Sequence, residues 1–394
     1  MAEIKFNIED MTRCPGRCEG CLLTAEERSG SQAASVMPWD ALSTFCAKHL
    51  AVVDPSGAEP VSINFGQGDH LLLSPEEMRQ RLVWVRSTFG SRAEVFFTAA
   101  ALSNPDALLR AAHALRDAAD EVGQAVGIDV VFDPTLTTLK SFSEKYKKNL
   151  EVLFELFESV DLNVNIGPDT VSACGANDFH DFVCGNGFRS VTINFVPTEH
   201  TAARMSRFAV EIFSWLTDLR EYWQRSGATY NLTYARAMDR MLVDLDPLEV
   251  RDVVSMCGDS LTRELYIDHA GDVFFTQAMI GDFPLCTRSG YHGVGNVTRC
   301  TSALVSLEAK RKALRLIARA QAFKPCVDCA YLKGCYMGGI LAAAPLMDVS
   351  EGCPVGVLLL WEAAGGRDGE VYRVPNDFGR RKRSGGVFWF GVAS

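Results

Sequence analysis

Over residues 1–227, short apolar runs alternate with longer stretches of helical spacing, and this pattern predicts the secondary structure. Six runs rich in Val, Ile and Phe predict strands at residues 4–8, 61–65, 94–99, 128–132, 162–166 and 191–196. The intervening stretches, such as 141–159 and 202–225, repeat apolar residues at helical spacing. Alternating strands and helices imply a parallel α/β sheet with right-handed crossovers. Six units suit a partial (β/α)6 TIM-like barrel, although the pattern also allows an open doubly wound sheet.

A different pattern begins after residue 260. Two strand-like runs, 264–268 and 273–276, flank a Gly-containing turn and predict a β-hairpin, and an amphipathic helical stretch follows at 306–321. The second half is therefore expected to form a small α+β domain. The predicted organisation is a core domain at 1–227, a bridging segment at 228–260, the small domain at 261–365 and a C-terminal tail at 366–394.

Composition and charge narrow the class of protein. The chain has 394 residues, of which 47% are hydrophobic and 22% charged, as is typical of globular proteins. Its longest apolar stretches, such as 356–361, are too short to cross a bilayer, so we expect no membrane association. A net charge of -10 disfavours a broad nucleic-acid-binding surface. The opening residues carry no secretion-signal pattern, which predicts a cytoplasmic location and reduced thiols.

Three cysteines directly after the first predicted strand carry the clearest chemistry. Cys14, Cys18 and Cys21 have the spacing C-x3-C-x2-C. Three thiolates on one loop can bind three irons of a [4Fe-4S] cube and leave the fourth iron open to bind and reduce a small molecule. A zinc site needs a fourth ligand nearby, yet the next Cys is Cys46 and the first His is His49. The loop therefore predicts an iron-sulfur cluster with one open coordination site.

The cysteine loop resembles that of the radical S-adenosylmethionine (radical SAM) superfamily. The resemblance implies the partial barrel, reductive cleavage of SAM to a 5'-deoxyadenosyl radical, and flavodoxin or ferredoxin as the reductant. After the second strand, Gly66-Gln67-Gly68-Asp69-His70 resembles the family's Gly-Gly-Glu-Pro motif, with Gly68 and Asp69 at matching positions. These two residues are therefore expected to hold the SAM amino group. An ordinary strand-to-helix turn is the alternative interpretation of this loop.

Further positions are implied by the same resemblance. Asp133 ends the fourth strand where relatives often carry Ser-x-Asp-Gly, and Val196 ends the sixth strand, where it is expected to pack against the adenine. Asn163 and Asn165 alternate on the fifth strand, so their amides share one face and either bond within the barrel or contact the SAM ribose. Candidate acid-base groups are His70, His180, His200 and Asp282. Lone titratable residues are, however, more often structural or solvated.

Six later cysteines resemble the ligands of SPASM and twitch extensions, which hold auxiliary Fe-S clusters in radical SAM enzymes. They are Cys286, Cys300, Cys326, Cys329, Cys335 and Cys353. The last four match the ligand set of one complete auxiliary [4Fe-4S] cluster, whereas Gly339 stands where a second cluster needs a ligand. The first two remain candidate ligands without an assigned cluster. The shorter twitch pattern, which would group the first four, and a zinc ribbon are alternatives.

Together these resemblances imply an enzyme that modifies a peptide or protein by oxidation, crosslinking or epimerisation. Oxidation of a small molecule, such as an aminosugar, is the alternative within the same superfamily. An Fe-S electron-transfer or scaffold protein is a third class, but it would need neither a six-unit barrel nor the Gly68-Asp69 loop. The sequence does not identify the substrate.

Overall fold

The computed structural model describes residues 3–16, 18, 21, 23, 25–30, 37–133, 140–194, 209–233, 235, 263–274 and 295–299. Ten strands within these ranges form one sheet: β1 Ile4–Met11, β2 Val61–Gln67, β3 Ala93–Ala99, β4 Val126–Phe132, β5 Val160–Asn165, β6 Ser190–Asn194, β7 Asn231–Leu232, β8 Glu264–Asp268, β9 Asp272–Phe274 and β10 Gly295–Asn296. The helices in the same ranges are α1 Ala25–Ser29, α2 Trp39–Val53, α3 Pro75–Phe89, α4 Pro105–Val122, α5 Lys140–Leu156, α6 Pro168–Ala173, α7 Ala176–Asn186 and α8 Ala209–Arg225.

The order of the strands distinguishes two of the predicted architectures. The sheet runs β10-β9-β8-β1-β2-β3-β4-β5-β6-β7, and the pairs from β1 to β7 are all parallel. Because the order does not reverse between β1 and β7, crossovers of one hand place the connecting helices on one face. A doubly wound sheet needs such a reversal, so the described strands exclude that alternative. Curvature into a partial barrel stays a prediction.

The six predicted core strands are confirmed, and β1 and β2 continue past their apolar runs to Met11 and Gln67. The helix predicted at 141–159 is α5, and the described part of the helix predicted at 202–225 is α8. The predicted hairpin is confirmed as β8 and β9, which pair antiparallel. β8 also pairs parallel with β1, so this hairpin extends the core sheet. The two-residue β7 lies within the predicted bridging segment, and the domain limits themselves stay a prediction.

The main hydrophobic core lies between the sheet and the helices. Ile4, Phe6 and Ile8 are fully buried on this face of β1, where they join Phe45 of α2 and Leu82 of α3 in one cluster. Burying a side chain of this size contributes roughly 1.5–3 kcal/mol relative to exposure. We call this helix-covered side the outer face and the opposite side the inner face. The side chains that alternate with the core residues along each strand therefore point to the inner face.

Two helices that follow the strands begin at well-defined caps. Ser74 and Glu77 form a reciprocal capping box at the start of α3, with Pro75 in the first turn. Asn104 caps α4 by accepting from the Asp106 amide at 3.0 Å. These caps fix where the loops after β2 and β3 end. None of the described helices is both long and apolar enough to cross a bilayer.

Candidate cluster and cofactor site

The cysteine loop begins at the carboxyl end of β1 and is tied to α1. The Thr12 hydroxyl donates to the Glu27 carbonyl at 3.2 Å, and the Cys14 amide donates to the Arg28 carbonyl at 3.1 Å. The carboxyl ends of parallel strands are where α/β proteins bind their ligands. Cys14 is thus held beside the end of the sheet that favours a functional site.

Two of the cysteine sulfurs lie around Gly16. A Cβ atom at Gly16 would lie 3.2 Å from Cys14 Sγ and 3.6 Å from Cys18 Sγ, so a side chain here would enter the space beside both sulfurs. The Gly16 amide donates to Cys14 Sγ at 3.3 Å, and the Cys21 amide donates to the Cys18 carbonyl at 3.2 Å. All three thiols are partly buried. The described residues of the loop therefore hold the Cys14 and Cys18 thiols beside Gly16.

This donor set fits an iron-sulfur cluster better than a single ion. Each cysteine of a cubane cluster binds a different iron, so the thiols need not meet at one point, and hydrogen bonds to the sulfurs tune the cluster. The Gly16-to-Cys14 contact is a bond of that kind. Within the described ranges, no three His, Cys, Asp or Glu side chains gather closely enough to hold one metal ion. Ligation by Cys14, Cys18 and Cys21 stays a prediction.

The loop after β2 is bonded directly to the cysteine loop. The Asp69 amide donates to the Arg13 carbonyl at 2.9 Å, and the Arg13 guanidinium donates to the Leu72 carbonyl. The Asp69 side chain is 1% exposed and accepts from the Leu71 amide at 3.3 Å. Burial raises the pKa of Asp69 to about 6. The sequence-predicted cluster loop and SAM loop are therefore one structural unit.

Electrostatics link this unit to its thiols. Burial raises the pKa of the Cys14 thiol to about 11, against the hydrogen bond from Gly16, and the charge of Asp69 adds to the rise. Thiols become ligands as thiolates, and binding iron releases their protons. Burial and the neighbouring Asp69 carboxyl thus favour the neutral thiol form of Cys14.

Gly68 allows the β2 loop to approach β1 closely. A Cβ atom at Gly68 would lie 2.7 Å from the Met11 carbonyl oxygen, a distance that real side chains do not show. The preceding Gln67 has a φ of 67°, in the left-handed region that is strained for a residue with a side chain. Strained backbone is often retained at ligand sites. The close approach of this loop is consistent with the role that the sequence predicts for Gly68 and Asp69.

The structure places the candidate acid-base residue His70 in the outer layer. Its ring is fully buried against the stacked pair of Phe65 and Phe97, with Nε2 3.1 Å from Asp10 Oδ1. Arg81 of α3 donates from Nε to the other oxygen of Asp10 at 2.7 Å. Burial alone would raise the pKa of Asp10, but His70 and Arg81 together hold it below its ordinary value. His70 thus anchors the loop to α3, and a catalytic role for it stays a prediction.

Asp133 and the two predicted asparagines lie at or near the same end of the sheet. Asp133 follows β4, is 6% exposed, and adds its charge to the burial that raises the pKa of Cys18. Asn194 of β6 donates to Asn165 Oδ1 at 3.4 Å and also to Asn163 Oδ1. The two amides therefore bond within the sheet, and their contact with a ribose stays a prediction. Asn194 was missed by sequence reasoning, although it follows the alternation of β6.

Other candidates lie elsewhere. His180 lies on α7 with Nδ1 3.1 Å from the Tyr230 hydroxyl and Nε2 3.6 Å from Cys184 Sγ. Because α7 leads into β6 and Tyr230 precedes β7, this group lies toward the amino ends of the strands. Cys46 is fully buried in the core, as expected for a small apolar side chain. The remaining candidates lie outside the described residues: Val196, His200, Asp282, Cys286, Cys300, Cys326, Cys329, Cys335 and Cys353.

Solved structures with this fold bind S-adenosylmethionine. A histidine-tagged form of anSMEcpe with bound AdoMet matches with a TM-score of 0.53 and 11% identity over 87% of this chain and 97% of that one. Native anSMEcpe with bound AdoMet and the Cp18Cys peptide matches with a TM-score of 0.52 and 11% identity, over 84% of this chain and 87% of that one. Streptococcus suis SuiB bound to S-adenosylmethionine matches with a TM-score of 0.51 and 12% identity, over 84% of this chain and 72% of that one. No protein-family profile and no curated protein matches the sequence. The chain therefore shares the α/β fold of these proteins.

Proposed function

We propose that this chain is a radical SAM enzyme. The observation that carries the proposal is the juxtaposition of Cys14 and Cys18 around Gly16, on a loop bonded directly to the Asp69 loop. Both loops lie at the carboxyl ends of parallel strands, where ligands bind in this class of fold. The shared fold with AdoMet-bound anSMEcpe and SuiB supports the same conclusion.

Each residue of this unit has a defined part in the proposal. Cys14, Cys18 and Cys21 hold a [4Fe-4S] cluster, and the Gly16 amide supports the Cys14 sulfur. When bound there, the cluster supplies the one-electron reducing power for cleavage of SAM. Asp69 accepts a hydrogen bond from the SAM ammonium, and Gly68 brings backbone groups within reach of it.

Asp133, Asn163 and Asn165 line the neighbouring strand ends, and with Asn194 they can bind the hydroxyl groups of the ribose. Val196 is proposed to pack against the adenine. Cys326, Cys329, Cys335 and Cys353 are proposed to hold an auxiliary [4Fe-4S] cluster, which would accept the electron that an oxidised substrate gives up. Flavodoxin or ferredoxin is the proposed reductant.

The substrate that we propose is a peptide or protein. Its support is the peptide present in one of the similar structures, anSMEcpe with AdoMet and Cp18Cys. Oxidation of a small molecule, such as an aminosugar, is the second candidate because it uses the same cofactor unit. A scaffold or electron-transfer role would not require the bonded Asp69 loop.

The proposal is tested by anaerobic reconstitution with iron and sulfide, followed by dithionite and SAM. Wild-type protein is expected to take up about eight irons, for two cubane clusters, and to release 5'-deoxyadenosine. Replacement of Cys14, Cys18 and Cys21 together by Ala should remove about half of the iron and abolish this release. The matched control is Cys184→Ala, which changes an exposed thiol on α7. Undiminished cleavage of SAM by the triple variant would refute the assignment.

A further inference from the structure

Glu9 is a buried carboxyl group on the inner face of the sheet that the proposed function does not use. It lies near the end of β1, five residues before Cys14, and is 2% exposed. The register between β1 and β2 shifts between Ile8 and Met11, which is a bulge at this position. Bulges often re-aim a side chain beside an active site. Glu9 is thus placed by a local irregularity of the strand that carries the cysteine loop.

Gly66 of β2 leaves room for this carboxyl group. A Cβ atom at Gly66 would lie 2.9 Å from both Glu9 Oε1 and Oε2, so any other residue would displace them. Phe65 packs with Phe97 on the outer face, so the next residue, Gly66, faces inward. The contact therefore locates the Glu9 carboxyl on the inner face. It lies beside Gly66, which precedes Gly68 by two residues.

One oxygen of the buried Glu9 carboxyl lacks a hydrogen-bond partner in the described part of the chain. Its Oε2 atom accepts no hydrogen bond from any described residue, although the atom is buried. The charged groups that act on it, Asp10 and Asp268, are both acids, and Asp268 is its register partner on β8. Burial and these neighbours raise the pKa of Glu9 to about 8. A buried, unsatisfied acceptor with two acids nearby is unfavourable until it meets a positive group.

We propose that Glu9 binds a cationic nitrogen, an ammonium or guanidinium group, of the molecule that is modified at this end of the sheet. The inference rests on the proposed function, because that function places the substrate here. Asp69 already serves the ammonium of SAM in the proposed unit, so Glu9 is left for the substrate. A second acid, Asp268, is the register partner of Glu9, and its added negative charge favours a cation over a neutral donor. The geometry thus narrows the substrate class to molecules that carry an amine or a guanidine.

The test measures binding of three probes to the reconstituted, SAM-saturated protein by titration calorimetry. The probes are the amides of Nα-acetyl-lysine and Nα-acetyl-arginine, whose side chains are cationic, and of the neutral Nα-acetyl-norleucine. Wild type should bind at least one cationic probe about tenfold more tightly than the neutral one, the ratio expected of a charge-assisted contact. Glu9→Gln should abolish this preference. The control Glu264→Gln, on the same face but at the other end of β8, should retain it.

A second variant separates loss of the group from loss of the fold. Gly66→Ala keeps the charge of Glu9 but displaces its oxygens, so it should lose the same preference. If Glu9 instead meets the ammonium of SAM, Glu9→Gln will weaken SAM binding about tenfold, which would overturn the assignment of Glu9 to the substrate. Unchanged preference and unchanged SAM affinity in both variants would overturn the inference, as would a wild type without any cation preference that still cleaves SAM. Absence of SAM cleavage by wild type would instead refute the proposed function.

Discussion

The two faces of the central sheet differ sharply in chemistry. On the outer face, Ile4, Phe6 and Ile8 of β1 are fully buried under helices. On the inner face of the same strand lie Lys5, Asn7 and Glu9, a cation, an amide and an acid. An apolar layer contributes stability through burial, whereas each hydrogen bond between polar groups contributes only about 1 kcal/mol. In this protein the fold and the proposed chemistry therefore depend on alternate residues of the same strands.

The inner face continues this pattern across the sheet. The Asn64 amide donates to Asn7 Oδ1 at 3.1 Å, and the Asn7 amide donates to Glu264 Oε1 at 3.3 Å. Burial opposes ionisation of Asp129 and raises its pKa to about 6, while Lys5 acts in the other direction. A face with so many hydrogen-bonding groups suits a polar ligand better than an apolar one.

The largest expected effect is on the outer face. Phe6→Ala should lower the free energy of unfolding by about 3–5 kcal/mol, because it leaves a cavity in a fully buried site. Its neighbour Asn7→Ala, on the inner face, should cost about 1 kcal/mol through lost hydrogen bonds. Denaturation by urea under anaerobic conditions measures both. Equal costs for the two variants would contradict the division between the faces.

A smaller effect on the free energy of unfolding is expected at the buried ion pairs that Asp10 forms with Arg81 and His70. Arg81→Met should cost about 3 kcal/mol, because it leaves the buried Asp10 carboxylate with one partner fewer. The pKa of Asp10 is lowered in the fold, so its stabilisation is present above its ordinary pKa of 3.8 and is lost as the pH falls through the folded value. The cost of Arg81→Met should therefore shrink in acid. Arg79→Met, which breaks an exposed pair on the same helix, should change stability little at any pH.

An effect on binding rather than stability is expected at Asp69. Asp69→Ala should weaken SAM binding about tenfold or more, because a charge-assisted hydrogen bond contributes roughly 1.5–3 kcal/mol. Iron content should not change, since Asp69 is not among the proposed ligands. Equilibrium dialysis with labelled SAM measures the affinity, and Asp69→Asn serves as the isosteric comparison. Unaltered affinity in both variants would make the loop an ordinary turn.

The smallest effect on stability is expected at Glu9, where the substitution should stabilise the fold rather than destabilise it. Its pKa is raised from 4.5 to about 8, so between these values the folded state keeps a proton that the unfolded state has lost. Wild-type stability should therefore fall as the pH rises through this window. Glu9→Gln should remove that slope and be more stable than wild type by about 1–2 kcal/mol at pH 8. Thermal unfolding at pH 5 and pH 8 measures the difference. If wild type and Glu9→Gln lost stability equally between these pH values, burial of the Glu9 carboxyl would not be unfavourable.

The sequence predicts the strands and their outer face well, because each core strand coincides with a short local run of apolar residues. All six core strands fall on such runs, and their extensions to Met11 and Gln67 were missed because polar residues continue the strands. The pairing of β8 with β1 has no local signal, since it joins residues far apart in the chain. In the site, the positions of Cys14 and Asp69 follow from strand ends. Glu9 and Asn194 were missed because a polar residue on a strand does not reveal its neighbours.

The position of β1 between β2 and β8 has a consequence for how the chain is made. β1 is synthesised before β8, one of its two neighbours, which lies 257 positions later at the Asn7–Glu264 contact. At roughly 5–20 residues per second, translation of these 257 residues leaves that edge of β1 unpaired for about 13–50 s. An unpaired edge can pair with another nascent chain. We therefore expect the strand that leads into the cysteine loop to be most open to mispairing during the interval before β8 has left the ribosome.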